Sequence, residues 1–340
     1  SIMSYDDVRL PLPVSGAARV AGYNAFRYFH AKYPGQVMGT RRADNWPLCG
    51  SGIVACDIHD TPTLQRLFDE FQFQSVLHCE GTCALKSCEL DPAMAERINV
   101  KGTRSLLTAL NGARVPLVFL SIDLVFSGTA DGGHVETDPT DPVTVYGKTM
   151  VEAENVLLNS ECDACILRIS LPMGVSFSGH AGAIDWIQSR FKQGKPATLY
   201  YDEVRTPTYT DCLNQVCEDA LRRVLSGLFH CGGPRKLSLY EIAQVVNRVG
   251  GYDPDNLMGC YRIEAGPMPP RAGNVTMNST KLKRALGYEP FDPWPLDERH
   301  VPLHRDWHRQ RDGENGSPEL LARVLYRNPR VSSAFSEDLS

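Results

Sequence analysis

Tyr146 is the residue whose side chain and spacing point most directly to chemistry. It lies in the stretch VYGKTMVEAE, residues 145–154, which has the pattern of a helix. A lysine four residues after a tyrosine shares its helix face, so its ammonium would lie beside the phenol, as in a hydride-transfer site. Here the fourth residue is Met150, and Lys148 lies about 200° around the helix. The stretch therefore has a proton donor without the neighbouring cation.

A second set of residues could bind an anion. Gly16 and Gly22 enclose Arg19 in SGAARVAGYNAF, directly after the first apolar run. A glycine-rich turn between a strand and a helix lets backbone N–H groups and the helix N-terminus face a pyrophosphate. The alternative is an ordinary strand-to-helix turn.

Charged residues after the next two apolar runs could contact the adenosine end of a dinucleotide. Arg41 and Arg42 follow the second run, where arginines can pair with a 2′-phosphate or can simply be solvated. Asp57 ends GIVACD and could accept a hydrogen bond from an adenine amino group. Its alternative role is to cap the following turn.

The first half of the chain predicts the elements that must position these residues. Short apolar runs alternate with amphipathic stretches, which is typical of a doubly wound parallel sheet covered by helices. The predicted strands are 8–14, 36–40, 75–79, 115–121 and 164–170, and the predicted helices are 21–33, 62–71, 93–111 and 144–159. Pro11 and Pro13 would weaken one ladder of the first strand, so we expect it to begin near Leu12 or to bend outward.

The second half predicts a smaller, mostly helical domain. After residue 170, helical patterns alternate with Gly- and Pro-rich turns, and the last of them has Ser317 as N-cap and Pro318 at its first position. We expect a dinucleotide-binding domain over 1–170 with a return segment at 206–233. The second domain would comprise 171–205 and 234–330, followed by a loose tail at 331–340.

Composition excludes several classes of protein. The chain of 340 residues is 42% hydrophobic and 22% charged, with a net charge of −5, which argues against nucleic acid or an anionic membrane as partner. No leader-like or membrane-spanning run is evident, so we expect a cytoplasmic protein.

The clusters Cys79, Cys83, Cys88 and Cys162, Cys165 lack zinc-ribbon spacing, and Pro302 interrupts the series His300, His304, His308. We therefore predict no metal site.

A longer set of motifs resembles a known family. INVKGTRSLL, FLSIDLVFSGT, GGHVETDPTDPVTVYGKTMVEAE and DEVRTPTYTD are similar to the extended short-chain dehydrogenase/reductase superfamily over about residues 8–290. The best match is the dTDP-4-dehydrorhamnose reductase-like branch, which also contains the regulatory beta subunit of methionine adenosyltransferase. The resemblance implies a Rossmann domain for NADP(H), with NAD(H) as the alternative, and a C-terminal domain for a nucleotide-linked sugar. A homodimer is a further candidate assembly.

The resemblance also implies a catalytic set that this chain only partly has. In such reductases a tyrosine donates a proton to a ketone, a Ser/Thr about 24 residues earlier orients the carbonyl, and a lysine four residues later holds the cofactor ribose. The tyrosine is Tyr146, but the other two positions are Ile122 and Met150. Arg19, which replaces the middle glycine of the family's loop, matches a 2′-phosphate ligand of shorter reductases. Ser121, Arg205 and Tyr209 match regions that contact the substrate, although Arg205 could instead pair with Asp202 or Glu203, and Tyr209 could simply pack.

Three interpretations of the chain follow. It could be a cofactor- and nucleotide-sugar-binding protein with weak or absent reductase activity, such as a regulatory subunit. It could be an active 4-keto-sugar reductase that uses Ser121, Lys148 or a residue of the second domain as an additional donor. It could also be an isomerase that uses the same pocket. An isolated tyrosine is protonated at neutral pH and can donate a proton, but the loss of two supporting groups favours the first interpretation.

Overall fold

The computed structural model describes residues 4–81 and 85–327; Cys83 and the predicted tail 331–340 lie outside this range. The strands are β1 Leu12–Ser15, β2 Val37–Arg41, β3 Ile53–Ala55, β4 Val76–His78, β5 Leu117–Ile122, β6 Cys165–Ile169, β7 Pro172–Met173, β8 Ala197–Tyr200, β9 Val204–Arg205, β10 Thr208–Tyr209, β11 Gly227–Cys231, β12 Leu237–Ser238 and β13 Leu257–Cys260. The α-helices are α1 Val20–Lys32, α2 Thr61–Phe71, α3 Leu85–Leu90, α4 Pro92–Glu96, α5 Gly102–Leu110, α6 Val145–Leu158, α7 Ala183–Lys192, α8 Thr210–Arg223, α9 Leu239–Val249, α10 Thr280–Leu286 and α11 Pro318–Tyr326.

The main sheet is parallel and doubly wound, as predicted. Its seven strands lie in the order β11-β6-β5-β4-β1-β2-β3. Strand β1 begins at Leu12, which confirms the expectation drawn from Pro11 and Pro13. Strand β11 lies beside β6 at one edge of this sheet, whereas β3 and α3 were not among the predicted elements. Their shortness explains the omission, since three or six residues show little periodicity.

The helix predicted over 93–111 is not continuous. Helix α4 ends at Glu96, a π-helical turn covers Arg97–Lys101, and α5 continues from Gly102. π-Helical turns inside α-helices are frequent at functional sites. This turn places Asn99 next to α6, where its Nδ2 donates a hydrogen bond to Thr149 Oγ1 at 2.9 Å.

The buried residues form two hydrophobic cores. The first fills the sheet and its helices, and it also includes α8 and buried residues of the segment 272–291. The second is built from α7, α9, α11 and the small sheets around them. Ser317 Oγ accepts a hydrogen bond from the N–H of Leu320 at 3.0 Å, which confirms the predicted cap of α11. The domain boundaries inferred from sequence stay a prediction. Buried residues of 272–291, which the sequence assigned to the second domain, pack on the first core.

No helix of the described residues has the length and apolar character needed to cross a membrane.

Candidate active site

The turn between β1 and α1, residues 16–22, is the glycine loop of this protein. Gly16 has a φ of +70°, and a Cβ there would lie 2.6 Å from the carbonyl oxygen of Cys79. A Cβ at Gly22 would lie 2.0 Å from the carbonyl oxygen of Gly16. Both positions therefore require glycine, and the close packing brings the N-terminus of α1 to the carboxyl edge of the sheet.

A buried hydrogen-bond chain supports the glycine loop. Ser15 Oγ accepts hydrogen bonds from the N–H groups of Cys79 and Glu80 at 3.0 and 3.1 Å, so its own proton is directed to His78 Nδ1 at 2.7 Å. His78 Nε2 lies 3.2 Å from Thr103 Oγ1. Burial lowers the pKa of His78 to about 3, so the imidazole is neutral and acts as a spacer between two hydroxyl groups.

The residues predicted to contact the adenosine end of a dinucleotide make hydrogen bonds within the loops that follow β2 and β3. Arg41 Nε donates to the carbonyl oxygen of Leu48 at 2.5 Å and its Nη1 donates to that of Arg42 at 3.0 Å. Arg42 Nε lies 3.2 Å from Asp44. Asp57 Oδ1 accepts a hydrogen bond from the N–H of Ala43 at 2.9 Å, while Asp60 caps the following helix through Thr63. Both roles considered for Asp57, the cap of the following turn and the contact to adenine, stay predictions.

A cleft of approximately 380 Å³ opens beside the glycine loop, between the carboxyl edge of the sheet and the second core. Its lining contains six of the residues singled out from sequence: Arg19, Ser121, Ile122, Tyr146, Met150 and Arg205. Residues of the second core, among them Met173 and Ile184, complete its other side. The geometry thus brings the predicted catalytic positions and the start of α1 into one space.

Ser121, Ile122, Tyr146 and Met150 form one side of the cleft, which we call the Tyr146 wall. Helix α6 begins here because Thr144 Oγ1 caps the N–H of Gly147 at 2.9 Å. Tyr146 and Met150 lie on one face of α6, and Met150 is 1% exposed. Ile122 is also buried. Lys148 is exposed and does not line the cleft, as its angle on the helix predicted. Apolar side chains therefore occupy both positions where the family has polar groups.

The hydroxyl of Ser121 donates a hydrogen bond to a buried carboxylate. Ser121 Oγ donates to Glu154 Oε2 at 2.5 Å. Arg168 binds both oxygens of that carboxylate, through Nε at 3.0 Å and Nη2 at 2.8 Å. Glu154 follows Tyr146 and Met150 by further turns on the same face of α6. This buried ion pair orients the Ser121 hydroxyl toward Glu154.

Two further ion pairs border the cleft and were not predicted. Arg205 binds Asp123 through two contacts of 2.6 Å, and burial raises the pKa of Asp123 while Arg205 opposes the rise. The alternative pairing of Arg205 with Asp202 or Glu203 is wrong. Those carboxylates bind Arg262 and Arg271 instead. Residues up to 82 positions apart meet here, so no local spacing could have indicated the pairs.

Tyr209 does not reach this cleft. It is 2% exposed within the second core, and its hydroxyl accepts a hydrogen bond from the N–H of Leu296 at 2.8 Å. The guanidinium of Arg327 lies 4.0 Å from the centre of its ring. These contacts correspond to the packing alternative rather than to a substrate contact.

The histidine and cysteine clusters form no metal centre within the described residues. No group of three or more His, Cys, Asp or Glu side chains in that part of the chain could hold a metal ion. His308 is buried beside Gln244, with 3.1 Å between its Nδ1 and the amide nitrogen. His304 is exposed.

The parallel sheet, the glycine loop and the cleft at the carboxyl edge define a Rossmann-type protein of the extended short-chain dehydrogenase/reductase class. Residues 14–297 match the family model described as RmlD substrate binding domain. The chain therefore belongs to that family, as the motifs predicted.

Two relatives show how far the similarity extends in sequence. The probable low-salt glycan biosynthesis reductase Agl14 of Haloferax volcanii is 27% identical over 58% of this chain, and the match covers 66% of that reductase, just under two thirds of its length. Methionine adenosyltransferase 2 subunit beta of Xenopus laevis is 24% identical over 82% of this chain and 84% of its own length.

Solved structures share the fold. The dTDP-4-dehydrorhamnose reductase of Bacillus anthracis in complex with NADP has a TM-score of 0.71, with 20% identity, 83% of this chain and 95% of that chain covered. A double mutant of the dTDP-glucose 4,6-dehydratase DesIV of Streptomyces venezuelae, with NAD bound, has a TM-score of 0.72, with 20% identity and coverage of 89% and 98%.

Proposed function

We propose that this chain is an NADP(H)-binding protein whose cleft also accepts a nucleotide-sugar-like molecule, with weak or absent ketoreductase activity of the family's kind. The observation that carries the proposal is that Tyr146 shares its cleft with Ile122 and Met150, in the positions of the carbonyl donor and the lysine. The glycine loop beside them keeps the features of a pyrophosphate site.

The residues present fit a dinucleotide. Gly16 and Gly22 let the backbone of the loop pack closely on its neighbours, and the N-terminus of α1 supplies backbone N–H groups and the positive end of its dipole. Arg19 lines the cleft at that helix end and adds a cation for a phosphate. Structural relatives are named with NADP and with NAD. We favour NADP(H) because of the arginines, with NAD(H) as the alternative.

The bound nicotinamide would supply hydride, and the chain's own groups must place the substrate and supply the proton. Tyr146 can donate a proton, since an ordinary phenol is protonated at neutral pH. The cation that would stabilise the phenolate is missing at Met150, and the hydroxyl of Ser121 is bound to Glu154. A positioned acid is worth about 10²–10⁴-fold and one carbonyl donor about 10²–10³-fold. These terms are not additive, but their sizes favour slow turnover.

The part of the cleft lined by Arg271 and Glu203 fits a polar ligand better than the Tyr146 wall does. Arg271 and Glu203 line it as an ion pair, with 2.9 Å between Arg271 Nη2 and Glu203 Oε2. Solved relatives are named with UDP-glucose and with UDP. A nucleotide sugar would place its sugar toward Tyr146, where the lining is apolar. We further expect a cytoplasmic protein, with a homodimer as the candidate assembly.

A second candidate is a regulatory subunit of another enzyme. The similarity to methionine adenosyltransferase 2 subunit beta covers most of both chains, and a binding role needs no catalytic lysine. Mixing the purified protein with a methionine adenosyltransferase and measuring that enzyme's rate tests this candidate. An unchanged rate over a wide range of added protein would exclude it for the enzyme used.

The main proposal is tested by two measurements on the unmodified protein. Calorimetric titration should give saturable binding of NADPH, tighter than that of NADH. Absorbance of NADPH should then fall slowly or not at all after a dTDP-4-keto sugar is added. Absence of binding would contradict the cofactor claim, while rapid NADPH oxidation would support the alternative of an active reductase with another donor.

A further inference from the structure

Helix α11 lies beyond the part of the chain that matches the family model, which ends at residue 297. It is nevertheless a fixed part of the second core. Leu321 and Leu325 are fully buried there, and the indole N–H of Trp294 donates to the carbonyl oxygen of Leu325 at 3.1 Å. At the other end of the helix, the N–H of Ser317 donates to the carbonyl oxygen of Val249 at 2.9 Å. Both ends of α11 are thus attached to the core.

The last residue of this helix, Tyr326, lines the same cleft as Tyr146. Arg327 follows it directly and binds two carboxylates. Its Nη2 lies 2.7 Å from Asp211 Oδ1, and its Nη1 lies 2.6 Å from Asp292 Oδ2. The backbone at Tyr326 is therefore held by the packing of α11 before it and by two ion pairs after it.

The hydroxyl group of Tyr326 makes no hydrogen bond to the part of the chain that the structure describes. It does not belong to the fully buried polar atoms either, so it faces open space. The hydroxyl groups of three other tyrosines on the second core do have partners in the chain, namely those of Tyr209, Tyr240 and Tyr252. A tyrosine packed on a core usually finds such a partner. For Tyr326, the contents of the cleft can supply it.

The surroundings of Tyr326 indicate which kind of partner fits. Asp185 also lines the cleft. Its Oδ2 accepts hydrogen bonds from Ser176 Oγ at 2.8 Å and from the N–H of Gly182 at 3.0 Å, which holds the carboxylate in the loop before α7. Within the described residues Asp185 has no ion pair, so its charge disfavours a phosphate nearby. Uncharged polar groups of a ligand suit this side of the cleft better.

The protonation state of Tyr326 favours a binding role over an acid role. Burial raises the pKa of the phenol, and the charge of Asp185 raises it further. The group therefore keeps its proton at neutral pH and can donate a hydrogen bond. A raised pKa also makes it a weaker acid than an ordinary phenol.

We propose that Tyr326 is a ligand-binding residue whose hydroxyl group donates a hydrogen bond to an uncharged oxygen of the nucleotide-sugar-like molecule in the cleft. This inference rests on the proposed function, because it requires that such a molecule binds there. The oxygen can belong to the sugar or to the nucleoside, and the choice of probes separates these two sources. The C-terminal helix thereby contributes to the substrate side of the cleft.

Calorimetric titration with UDP-glucose, dTDP-glucose, UDP and dTDP tests this inference. The variants are Tyr326→Phe, which removes only the hydroxyl group, and Tyr326→Ala, which also removes the ring. The control is Tyr252→Phe. Tyr252 packs on the same core, its hydroxyl group lies 3.2 Å from Gln188 Nε2, and it does not line the cleft. Thermal unfolding checks that each variant is folded, and titration with NADPH checks that the glycine loop is intact.

Tyr326→Phe should weaken the binding of the sugar nucleotides about threefold to tenfold, which is the loss expected for one neutral hydrogen bond. Tyr326→Ala should weaken it at least as much, because the contacts of the ring are lost as well. Tyr252→Phe should bind like the unmodified protein, and NADPH affinity should be the same in all proteins. An oxygen on the nucleoside predicts the same loss for UDP and dTDP, whereas an oxygen on the sugar predicts no loss for them.

The inference and the proposed function fail in different ways. Unchanged affinity in Tyr326→Phe overturns the inference even if Tyr326→Ala binds more weakly, because the hydroxyl group would then not be the contact. An equal loss in Tyr252→Phe, or a parallel loss of NADPH affinity in the Tyr326 variants, also overturns it. These results leave the proposed function standing. If the unmodified protein binds NADPH but none of the four probes, the nucleotide-sugar part of the proposed function fails, and this inference fails with it.

Discussion

The glycine loop and the Tyr146 wall face the same cleft, but they differ in what they offer a ligand. The loop requires glycine at two positions and leads into the N-terminus of α1. The wall presents one phenol between buried apolar side chains, with the Ser121 hydroxyl turned toward Glu154. Under the proposed function, this difference separates cofactor binding from catalysis within one cleft.

The first prediction concerns the ion pair behind the Tyr146 wall, where we expect the largest effect on stability. Glu154 and Arg168 are 2% and 4% exposed, so Glu154→Gln should leave a buried guanidinium without its anion. Such a change lowers the free energy of unfolding by about 3–5 kcal/mol. Urea denaturation measures it.

Glu289→Gln is the matched control, because Glu289 pairs with Lys283 and both side chains are more than half exposed. That variant should lose at most about 1 kcal/mol. Equal effects in the two variants would mean that the polar groups behind the wall contribute little to its structure.

The second prediction concerns the glycine loop. Gly16 and Gly35 have φ values of +70° and +74°, so alanine at either should destabilise the protein by about 1–2 kcal/mol through backbone strain. Only at Gly16 does the new Cβ meet a neighbour, 2.6 Å from the carbonyl oxygen of Cys79. Gly16→Ala should therefore also weaken NADPH binding at least about 100-fold, equal to about 2.7 kcal/mol.

Calorimetric titration of both alanine variants makes the comparison. Gly35→Ala should bind NADPH as the unmodified protein does, because nothing lies within 4 Å of its added Cβ. If Gly16→Ala bound NADPH as tightly as the unmodified protein does, the close packing of the loop backbone at Gly16 would not be required for cofactor binding.

The third prediction concerns the support beneath the glycine loop and has the smallest expected effect. The pKa of His78 is lowered from 6.5 to about 3. Between these values the unfolded chain binds a proton that the folded protein does not. The contribution of neutral His78 to the free energy of unfolding should therefore be fully present above pH 6.5. Below pH 6.5, the free energy of unfolding should fall by about 1.4 kcal/mol per pH unit.

Urea denaturation at about pH 6.5 and about pH 5 measures this dependence, with His78→Gln as the comparison. In the variant, the free energy of unfolding should depend less steeply on pH, by about 1.4 kcal/mol per pH unit. The other buried histidines contribute equally to both proteins. An unchanged slope would mean that His78 is accessible to protons in the folded protein.

Sequence alone predicted most of the fold and the local parts of the site. The spacing of Gly16 and Gly22 after an apolar run indicated the loop, and helical periodicity placed Met150 beside Tyr146. Contacts between distant segments could not be predicted, because no local period relates Ser121 to Glu154 or Asp123 to Arg205.

The central claim is that the Tyr146 wall lacks the groups for reduction while the rest of the cleft remains able to bind. Ile122→Thr adds a hydroxyl to a β-branched side chain, and Met150→Lys replaces an unbranched side chain with one of similar volume. Both positions line the cleft with Tyr146.

The most direct measurement is NADPH oxidation by the Ile122→Thr, Met150→Lys double variant with a dTDP-4-keto sugar, beside the unmodified protein and the triple variant that adds Tyr146→Phe. We predict that the double variant is at least about tenfold faster than the unmodified protein, within the range of one positioned proton donor, and that the triple variant loses this gain. Brisk turnover by the unmodified protein, or a folded, NADPH-binding double variant with no gain, would contradict the account.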